Sequence, residues 1–328
     1  MSSAQPERCR IVVTRLLPPP LMALLGSAFD AWTNPDDRTL APGAIAREAS
    51  ALRADALLVM AMDSIDAGLI AALPDCVRVI ATFSVGHDHI DLAAARARGI
   101  AVLSTPDVLS DAVADMGMLL MLGAARRAHE ASLMLYSGAW AGWSPTQLLG
   151  RDVTGARLGI LGMGRIGRAV AFRARRGFSM QVHYHNRSRL PEALEDGAAF
   201  HAGLGDLLAV SDFLMLAAPS SAATRGIIGA AAIERLPHGA VVANVSRGDL
   251  VDDEALIAAL RSGRVAAAGL DVFNGEPAIH PGYLALGNVF LQPHQGSSTN
   301  GTRLRMGTLL LDSVEQVRAG KPVANRLA

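Results

Sequence analysis

A glycine-rich turn between an apolar run and a helical pattern constrains this chain more than any other feature. Residues 157–170 read R-L-G-I-L-G-M-G-R-I-G-R-A-V, with an apolar run at Leu158–Leu161. The G-x-G-x-x-G spacing is typical of a strand, a tight turn and a helix: Gly162 lets the chain reverse, Gly164 lets the backbone approach a pyrophosphate, and Gly167 lets the helix pack close to the strand. Amides at the helix start then face an anion. Glycines after a strand can also be turn glycines alone, but the context on both sides predicts a dinucleotide-binding domain.

Composition and charge limit the classes of protein to which this chain can belong. With 328 residues, 51% of them hydrophobic, it is too long for one small core, which favours two domains. The formal net charge is zero and no block of like charges occurs, which disfavours binding to nucleic acid or to an anionic membrane. Cys9 and Cys76 form no C-x-x-C pair, so we expect neither a disulfide framework nor a metal site. The start, Met1–Arg10, is polar, and the longest apolar run, 116–125, is about half a membrane span, so we expect a soluble cytoplasmic protein.

Strand-like and helical patterns alternate along the rest of the chain. Before the glycine turn the strand-like runs lie at 11–15, 56–60, 78–82 and 100–103, and the helical patterns lie at 18–27, 42–50, 66–73 and 91–98. After the turn, strands are predicted at 180–184, 212–216, 240–243, 266–270 and 288–291, and a closing helix at 299–319. Strands that alternate with helices of this length indicate parallel sheets. We therefore expect an α/β fold of two doubly wound, Rossmann-like or flavodoxin-like domains with a cleft between them.

A long apolar helix is predicted after Pro106, from Asp107 towards Tyr136. Such a helix either spans the two domains or pairs with a second copy of the chain, and we favour the second interpretation. The loop that follows reads G-A-W-A-G-W-S-P and carries Trp140 and Trp143. Tryptophans in a Gly/Ser/Pro loop have little core to join, so an interface or a pocket wall suits them better. We predict a homodimer in which Trp140 or Trp143 reaches the neighbouring subunit, with Trp140 as a substrate contact.

Charged and polar residues follow three strands of the second domain. Their sequences are N-V-S-R-G-D-L-V at 244–251, G-L-D-V-F-N-G-E-P at 269–277 and Q-P-H-Q-G-S-S at 292–298. Because ligands of open α/β sheets bind outside the carboxyl ends of strands, Arg247, Glu276 and His294 are expected on the same edge as the cofactor. Each residue alone has an ordinary structural explanation: a solvated arginine, a turn glutamate and a core histidine. Together they are the set that hydride transfer to a 2-oxo acid requires.

The chemistry assigns a role to each member of this set. Reduction places a hydride on C2 and leaves an alkoxide that needs a proton, which His294 can supply. A carboxylate on the other ring nitrogen fixes the tautomer and favours the imidazolium, which is the role of Glu276. The planar fork of Arg247 can bind the substrate carboxylate and polarise the C2 carbonyl. Val85 and Gly86, in the first domain, can present backbone amides to the same carboxylate.

The motifs also carry a family resemblance. G-M-G-R-I-G, N-V-S-R-G-D-L-V-D-D-E-A-L, G-L-D-V-F-N-G-E-P and P-H-Q-G-S-S, with S-V-G-H-D-H-I-D upstream, resemble the D-specific 2-hydroxyacid dehydrogenase family. W-A-G-W-S-P-T-Q-L-L-G and Y-H-N-R-S-R resemble its glyoxylate/hydroxypyruvate reductases. The resemblance places the catalytic Arg, Glu and His at Arg247, Glu276 and His294. It also implies that residues 1–104 and the helix in 295–328 form one substrate-binding domain around an inserted NAD(P)-binding domain, 105–294. Gln295 departs from the small apolar residue usual after the histidine, and R-A-R-R-G-F-S-M is one residue longer than usual.

The choice of cofactor is predicted from the end of the second strand of the cofactor domain. An NAD site has Asp or Glu about 20 residues after the glycine turn, and that carboxylate repels a 2′-phosphate. Here Asn186 stands nineteen residues past Gly167, followed by Arg187, Ser188 and Arg189. The segment either is a solvated arginine-rich loop or binds NADPH in preference to NADH, with Arg187 and Ser188 on the 2′-phosphate and Arg189 assisting. We favour the second. Further cofactor contacts are predicted at Arg165, Ile166, Pro219, Thr224, Val245, Ser246, Asp271 and Gly296.

The function that these features favour is an NADPH-preferring reductase of glyoxylate or hydroxypyruvate to D-2-hydroxy acids. Two alternatives stay open: a reductase of bulkier 2-oxo acids such as phenylpyruvate or branched-chain acids, and a nucleotide-sensing binding protein of the same fold. The complete Arg/Glu/His set favours an enzyme, and the lack of a regulatory extension disfavours a phosphoglycerate dehydrogenase.

Overall fold

The computed structural model describes residues 8–328, so most of the polar start, residues 1–7, lies outside the described residues. The first elements are β1 (Cys9–Val13), α1 (Pro19–Ala28), β2 (Phe29–Thr33), α2 (Pro42–Leu52), β3 (Ala56–Val59), α3 (Ala67–Ala72), β4 (Val79–Thr82), α4 (Leu92–Ala97) and β5 (Ala101–Leu103). The later elements are α5 (Ser110–Ala125), α6 (Ala128–Tyr136), β6 (Arg157–Leu161), α7 (Arg165–Phe178), β7 (Gln181–His185), α8 (Glu192–Glu195), β8 (Ala199–Phe200), α9 (Leu204–Ala209), β9 (Phe213–Leu216), α10 (Ala230–Ile233), β10 (Ala240–Asn244), α11 (Asp253–Ser262), β11 (Val265–Leu270), α12 (Pro281–Leu284), β12 (Val289–Leu291) and α13 (Asn300–Arg318). Within residues 8–328, no helix has both the length and the apolar character to cross a bilayer.

The chain divides into two compact units. One contains the residues up to Leu109 together with Ser298–Ala328, and the other is Ser110–Ser297. Helix α13 therefore belongs to the first unit, although it is the last helix along the chain. The sequence places the boundaries after residues 104 and 294, and the binding of substrate by the first unit stays a prediction.

The first unit contains a five-stranded parallel sheet in the order β2-β1-β3-β4-β5. Ile45 of α2, Leu57 of β3 and Ile80 of β4 are fully buried in its core. Sequence patterns miss β2, because F-D-A-W-T follows α1 without an intervening turn. Phe29 is both the residue that caps α1 and the first residue of β2.

The second unit contains a seven-stranded parallel sheet in the order β12-β11-β10-β9-β6-β7-β8. The chain builds β7 and β8 on one side of β6 and then crosses to β9 on the other side. Open α/β sheets bind ligands where the strand order reverses in this way. The glycine turn follows β6 and so lies at this point. The prediction of an α/β fold with two parallel sheets is confirmed.

The predicted long helix from Asp107 to Tyr136 is wrong as a single element, because the structure divides it into α5 and α6. Arg127 interrupts it with a left-handed φ of +53°, and its guanidinium binds Glu130 through two bonds of 2.7 Å. The carbonyl oxygen of Ala125 accepts a bond from the Arg151 amide at 2.8 Å instead of one from the next helical turn. Contact with a distant segment therefore ends α5.

Candidate active site

The glycine turn joins β6 to α7 through close backbone contacts. Gly162 has a φ of +99°, and a Cβ there would lie 2.4 Å from the Ala218 nitrogen. A Cβ at Gly167 would lie 2.2 Å from the Gly162 carbonyl oxygen, so α7 can approach β6 this closely only with glycine. A Cβ at Gly164 would meet no atom of the described residues within 4 Å, and Gly164 forms no side-chain cap before α7. The first amides of α7 are therefore suited to bind a phosphate.

The loop after β7, residues 186–190, contains the residues predicted to select the cofactor, and we call it the β7 loop. The Asn186 Oδ1 accepts a bond of 2.7 Å from the Met163 amide in the glycine turn. That bond fixes the orientation of the side-chain amide, so the Nδ2 is the group that can donate to a ligand. Arg187 and Ser188 are exposed. The β7 loop therefore presents donors and a cation, without a carboxylate at position 186.

Arg189 lies in the same loop, but its guanidinium binds protein. The Nε and Nη2 atoms donate to the two oxygens of Glu195 at 2.9 Å each. These two bonds use the Nε–Nη2 edge of the guanidinium, and the Arg189 side chain is 64% exposed. The predicted assistance of Arg189 to phosphate binding stays a prediction, and it would use the Nη1 atom and the second hydrogen of Nη2.

His294 and Glu276 form a side-chain hydrogen bond between the loops that follow β12 and β11. The His294 Nδ1 lies 2.7 Å from the Glu276 Oε2, and the Oε1 accepts a bond of 2.8 Å from the Phe273 amide. Burial raises the pKa of Glu276, but the bond and charge of His294, the Phe273 amide and the charge of Arg247 outweigh burial and leave this pKa below its usual value. An ionised carboxylate only accepts, so the Nδ1 carries hydrogen and the Nε2 can exchange a proton with a ligand.

Arg247 follows β10 in a loop whose backbone is fixed by buried contacts. The side chain of Asn244, 1% exposed, donates to the Arg247 carbonyl oxygen at 2.8 Å and accepts from the Ser246 amide at 2.9 Å. A Cβ at Gly248 would lie 1.9 Å from the Phe273 carbonyl carbon, so the backbone after Arg247 touches the loop of Glu276. The structure thus brings the loops of Arg247 and Glu276 into contact.

Asp271 directly follows β11 and holds the backbone after His294. Its carboxylate accepts bonds from the Gln295 amide at 2.6 Å and from the Gly296 amide at 2.7 Å, and its carbonyl oxygen accepts the His294 amide at 2.8 Å. Burial raises the pKa of Asp271 to about 6 in spite of these bonds. Asp271 and Gly296, both predicted cofactor contacts, are therefore bonded to each other, which positions the histidine loop.

Of the other predicted cofactor contacts, Arg165 and Ile166 begin α7, and the rest lie in loops at the same end of the sheet. The Thr224 hydroxyl donates to the Pro219 carbonyl oxygen at 2.8 Å, and the Ser246 hydroxyl donates to the Ala218 carbonyl oxygen. Val245, next to Ser246, is buried. Contact of these residues with a cofactor stays a prediction.

The predicted substrate contacts outside the Arg/Glu/His set lie in two places. Val85 and Gly86 belong to the first unit, in the loop after β4, where the Ser84 hydroxyl donates to the Gly86 carbonyl oxygen at 2.5 Å. Trp140 and Trp143 follow α6 and are 51% and 82% exposed. Their predicted contacts with substrate or with a second subunit stay predictions.

Sequence reasoning missed two side chains that organise these loops, Asn244 and Glu195. Asn244 heads the N-V-S-R-G motif, so a polar residue at the end of an apolar strand was a usable signal. Glu195 lies in a short polar stretch that looks solvated, and its burial to 5% exposure has no signal in the sequence.

Comparison with known proteins identifies the family of this chain. Residues 118–296 match the family model "D-isomer specific 2-hydroxyacid dehydrogenase, NAD binding domain". The chain is 40% identical to a glycerate dehydrogenase of Hyphomicrobium methylovorum over 97% of this chain and 99% of that protein. It is 39% identical to a glyoxylate reductase of Thermococcus kodakarensis, over 96% and 94%. Among solved structures, an NADPH-dependent glyoxylate/hydroxypyruvate reductase of Sinorhizobium meliloti, in complex with NADP and malonate, aligns with a TM-score of 0.87 at 30% identity over 98% and 97%. The chain belongs to the D-isomer specific 2-hydroxyacid dehydrogenase family.

Proposed function

We propose that this chain reduces glyoxylate or hydroxypyruvate to the D-2-hydroxy acid, with NADPH as the preferred cofactor. The observation that carries the proposal is the 2.7 Å bond between the His294 Nδ1 and the Glu276 Oε2, in a loop cluster that also contains Arg247. The names of the related glyoxylate reductases and glycerate dehydrogenase support this substrate class. When bound, the nicotinamide supplies the hydride that reaches C2 of the acid.

The side chains of the second unit supply binding and the proton. Arg247 binds the substrate carboxylate with its planar fork and draws electron density from the C2 carbonyl. His294, held by Glu276 through Nδ1, donates a proton from Nε2 to the oxygen on C2 as negative charge develops there. The Glu276 carboxylate stabilises the imidazolium before transfer and fixes the ring afterwards. We infer that the first unit contributes the backbone amides of Val85 and Gly86 to substrate binding.

The cofactor preference rests on the β7 loop. The Asn186 amide is oriented as a donor, and Arg187 and Ser188 are exposed beside it. Loss of a carboxylate and gain of a cation near a 2′-phosphate each matter by about 1 to 4 kcal/mol at a few ångströms. Their sum corresponds to a preference of at least about tenfold for NADPH. The NADPH-dependent relative with bound NADP supports the same choice.

We further propose that the chain works as a cytoplasmic homodimer. Apolar side chains at the end of α6 and in the following loop are exposed, among them Leu135 at 62% and Tyr136 at 91%. Trp140 and Trp143 are exposed as well, and exposed apolar side chains of this size favour association with a second copy. Neither of the cysteines is in a disulfide, and Cys9 is buried as a thiol, which suits a reducing compartment.

A substrate panel tests the proposed function. Purified protein is mixed with NADPH or NADH and with glyoxylate, hydroxypyruvate, phenylpyruvate or 4-methyl-2-oxopentanoate, and consumption of the reduced nicotinamide is followed by absorbance. The proposal expects the highest kcat/KM for the two small acids with NADPH. A higher kcat/KM for the bulkier acids would favour the alternative reductase. Cofactor binding without turnover of any acid would favour the nucleotide-sensing protein.

A further inference from the structure

The buried carboxylate of Glu195 bonds side chains at the end of β7 and in the β7 loop. The Glu195 Oε1 accepts bonds from the Tyr184 hydroxyl at 2.5 Å and from the Arg189 Nε at 2.9 Å, and the Oε2 accepts one from the Arg189 Nη2 at 2.9 Å. The Tyr184 hydroxyl in turn accepts the Leu190 amide at 3.0 Å. These bonds connect the last turn of α8 with both ends of the β7 loop. We call Tyr184, Arg189 and Glu195 the Glu195 cluster.

The charges of the Glu195 cluster are complementary. Arg189 and the Tyr184 hydroxyl hold the pKa of Glu195 at about 2, so its carboxylate stays ionised throughout the neutral pH range. Tyr184 is fully buried and Glu195 is 5% exposed, so neither side chain has solvent as an alternative partner. Breaking the ion pair would leave a buried carboxylate without its cation, which is strongly unfavourable.

The members of the β7 loop that face solvent have no comparable support. Within residues 8–328 the structure shows no side-chain bond from Arg187 or Ser188, and both are exposed. A long exposed side chain loses rotamer freedom when it binds a ligand, and a backbone that is already fixed reduces that cost. The bond between Asn186 and the Met163 amide fixes the other end of the loop.

We propose that Glu195 is a positioning residue for cofactor choice, which holds the β7 loop through Arg189 so that Asn186, Arg187 and Ser188 face the 2′-phosphate. Arg189 then serves as the structural partner of Glu195, and the phosphate is bound by Arg187 and Ser188. The inference rests on the proposed NADPH preference and deepens it. It assigns to one buried acid, outside the binding surface, the control of that preference.

A double-mutant cycle on Glu195 and Arg189 tests this inference. Kd values for NADPH and NADH are measured by fluorescence titration of wild type, E195Q, R189A and the double variant, with Tm recorded for each. We expect each single change to weaken NADPH binding by a similar factor, roughly tenfold, because the same loop is released in both. The Kd of the double variant for NADPH should exceed that of either single variant by no more than about twofold. NADH binding, and kcat at saturating NADPH, should change by less than about threefold, because NADH has no 2′-phosphate for the β7 loop to bind.

A matched ion pair provides the control. Arg157 binds Asp212 through two bonds, of 2.9 and 2.7 Å, at the opposite end of the strands. D212N should lower Tm as E195Q does, but it should leave the ratio of the two Kd values unchanged. If E195Q does not fold, R189A and R189K decide the question, because both keep the bond from Tyr184 to Glu195. The Kd of R189K for NADPH should lie between those of the wild type and R189A.

The outcomes separate this inference from the proposed function. If R189A weakens NADPH binding while E195Q tightens it, Arg189 is itself a phosphate ligand and the inference is wrong. The inference is also wrong if the two single changes weaken NADPH binding additively, or if they weaken the binding of NADPH and NADH equally. The preference of the wild type for NADPH would stand in either case. Equal Kd values of the wild type for both cofactors overturn the proposed preference and the inference together.

Discussion

Replacing Glu276 with glutamine tests the proposed proton donor directly. The change removes the negative charge beside the His294 Nδ1 but keeps the size and an acceptor oxygen. Because the pKa of Glu276 is lowered, its carboxylate is ionised across the neutral range in the wild type, and its own titration cannot produce a pH effect there. A change of the neutral pH profile in E276Q therefore arises from a group that the Glu276 charge influences. His294, bonded to Glu276 at 2.7 Å, is the nearest such group, and Asp271, whose pKa of about 6 the Glu276 charge helps to raise, is the other.

The expected size follows from the contact. A hydrogen bond to a charged group contributes about 1.5–3 kcal/mol. The bond is short, at 2.7 Å, but 37% of the His294 side chain is exposed, so we take the lower end of that range. About 1.4 kcal/mol corresponds to one pH unit. E276Q loses the stabilisation that the Glu276 charge is proposed to give to the protonated pair, so reduction should decline with rising pH about one unit earlier than in the wild type.

Initial rates from about pH 5 to pH 9 measure this shift. In the reduction of glyoxylate, the decline of kcat/KM at high pH moves to lower pH in E276Q. In the reverse oxidation, which needs neutral histidine, the rise of the rate moves in the same direction. E254Q is the matched control, because Glu254 pairs with His280 at 3.1 Å on the surface, and it should not move either profile. An unmoved profile in E276Q, or a shift to higher pH, would refute the assignment of Glu276 and His294 as a proton-donating pair.

Four further predictions concern other residues of the site. H294A should lower kcat by roughly a hundredfold or more while the Kd for NADPH measured by titration stays nearly constant, and near-normal turnover would place the acid elsewhere. D271N turns an acceptor of the histidine-loop amides into a donor, so kcat should fall about five- to a hundredfold in steady-state assays, with a lower Tm. R187A should reduce the ratio of kcat/KM for NADPH to that for NADH by about tenfold, and an unchanged ratio would contradict phosphate binding by Arg187. Light scattering should give a dimer mass, and W140A should alter the substrate preference; a monomer with unaltered preference would contradict the proposed interface.

The parts of the fold that the sequence predicts are those encoded by adjacent residues. The glycine turn after Leu158–Leu161 predicts a strand, a reversal and a helix, because the apolar run and the glycines restrict the same short segment. The carboxyl ends of parallel strands share one edge of a sheet. For that reason Arg247, Glu276 and His294 could be placed together without knowledge of their contacts, and the structure brings their loops together.

The parts that could not be predicted depend on distant partners. The break at Arg127 occurs because the Arg151 amide takes the Ala125 carbonyl oxygen, and no local signal contains that contact. Arg189 shows the same limit: the charge pattern of the β7 loop does not reveal that Glu195 binds its guanidinium. An arginine beside a predicted phosphate site can therefore be assigned as a phosphate ligand only when the acidic side chains that compete for its guanidinium are known.

The contrast between the two groups of loops explains which property of this chain can change most easily. In the catalytic loops, Asn244 and Asp271 bond backbone amides directly, and their burial makes a substitution costly because it leaves amides without acceptors. In the β7 loop, Arg187 and Ser188 are exposed, and the loop is held by the ion pair of Glu195 with Arg189 and by the bond of Asn186 to the Met163 amide. A substitution at either exposed position changes the cofactor contacts with little effect on folding. Within this unit, therefore, the loops of the proposed proton-transfer residues are fixed by the core, whereas the proposed preference for NADPH depends on a few surface side chains and one buried carboxylate.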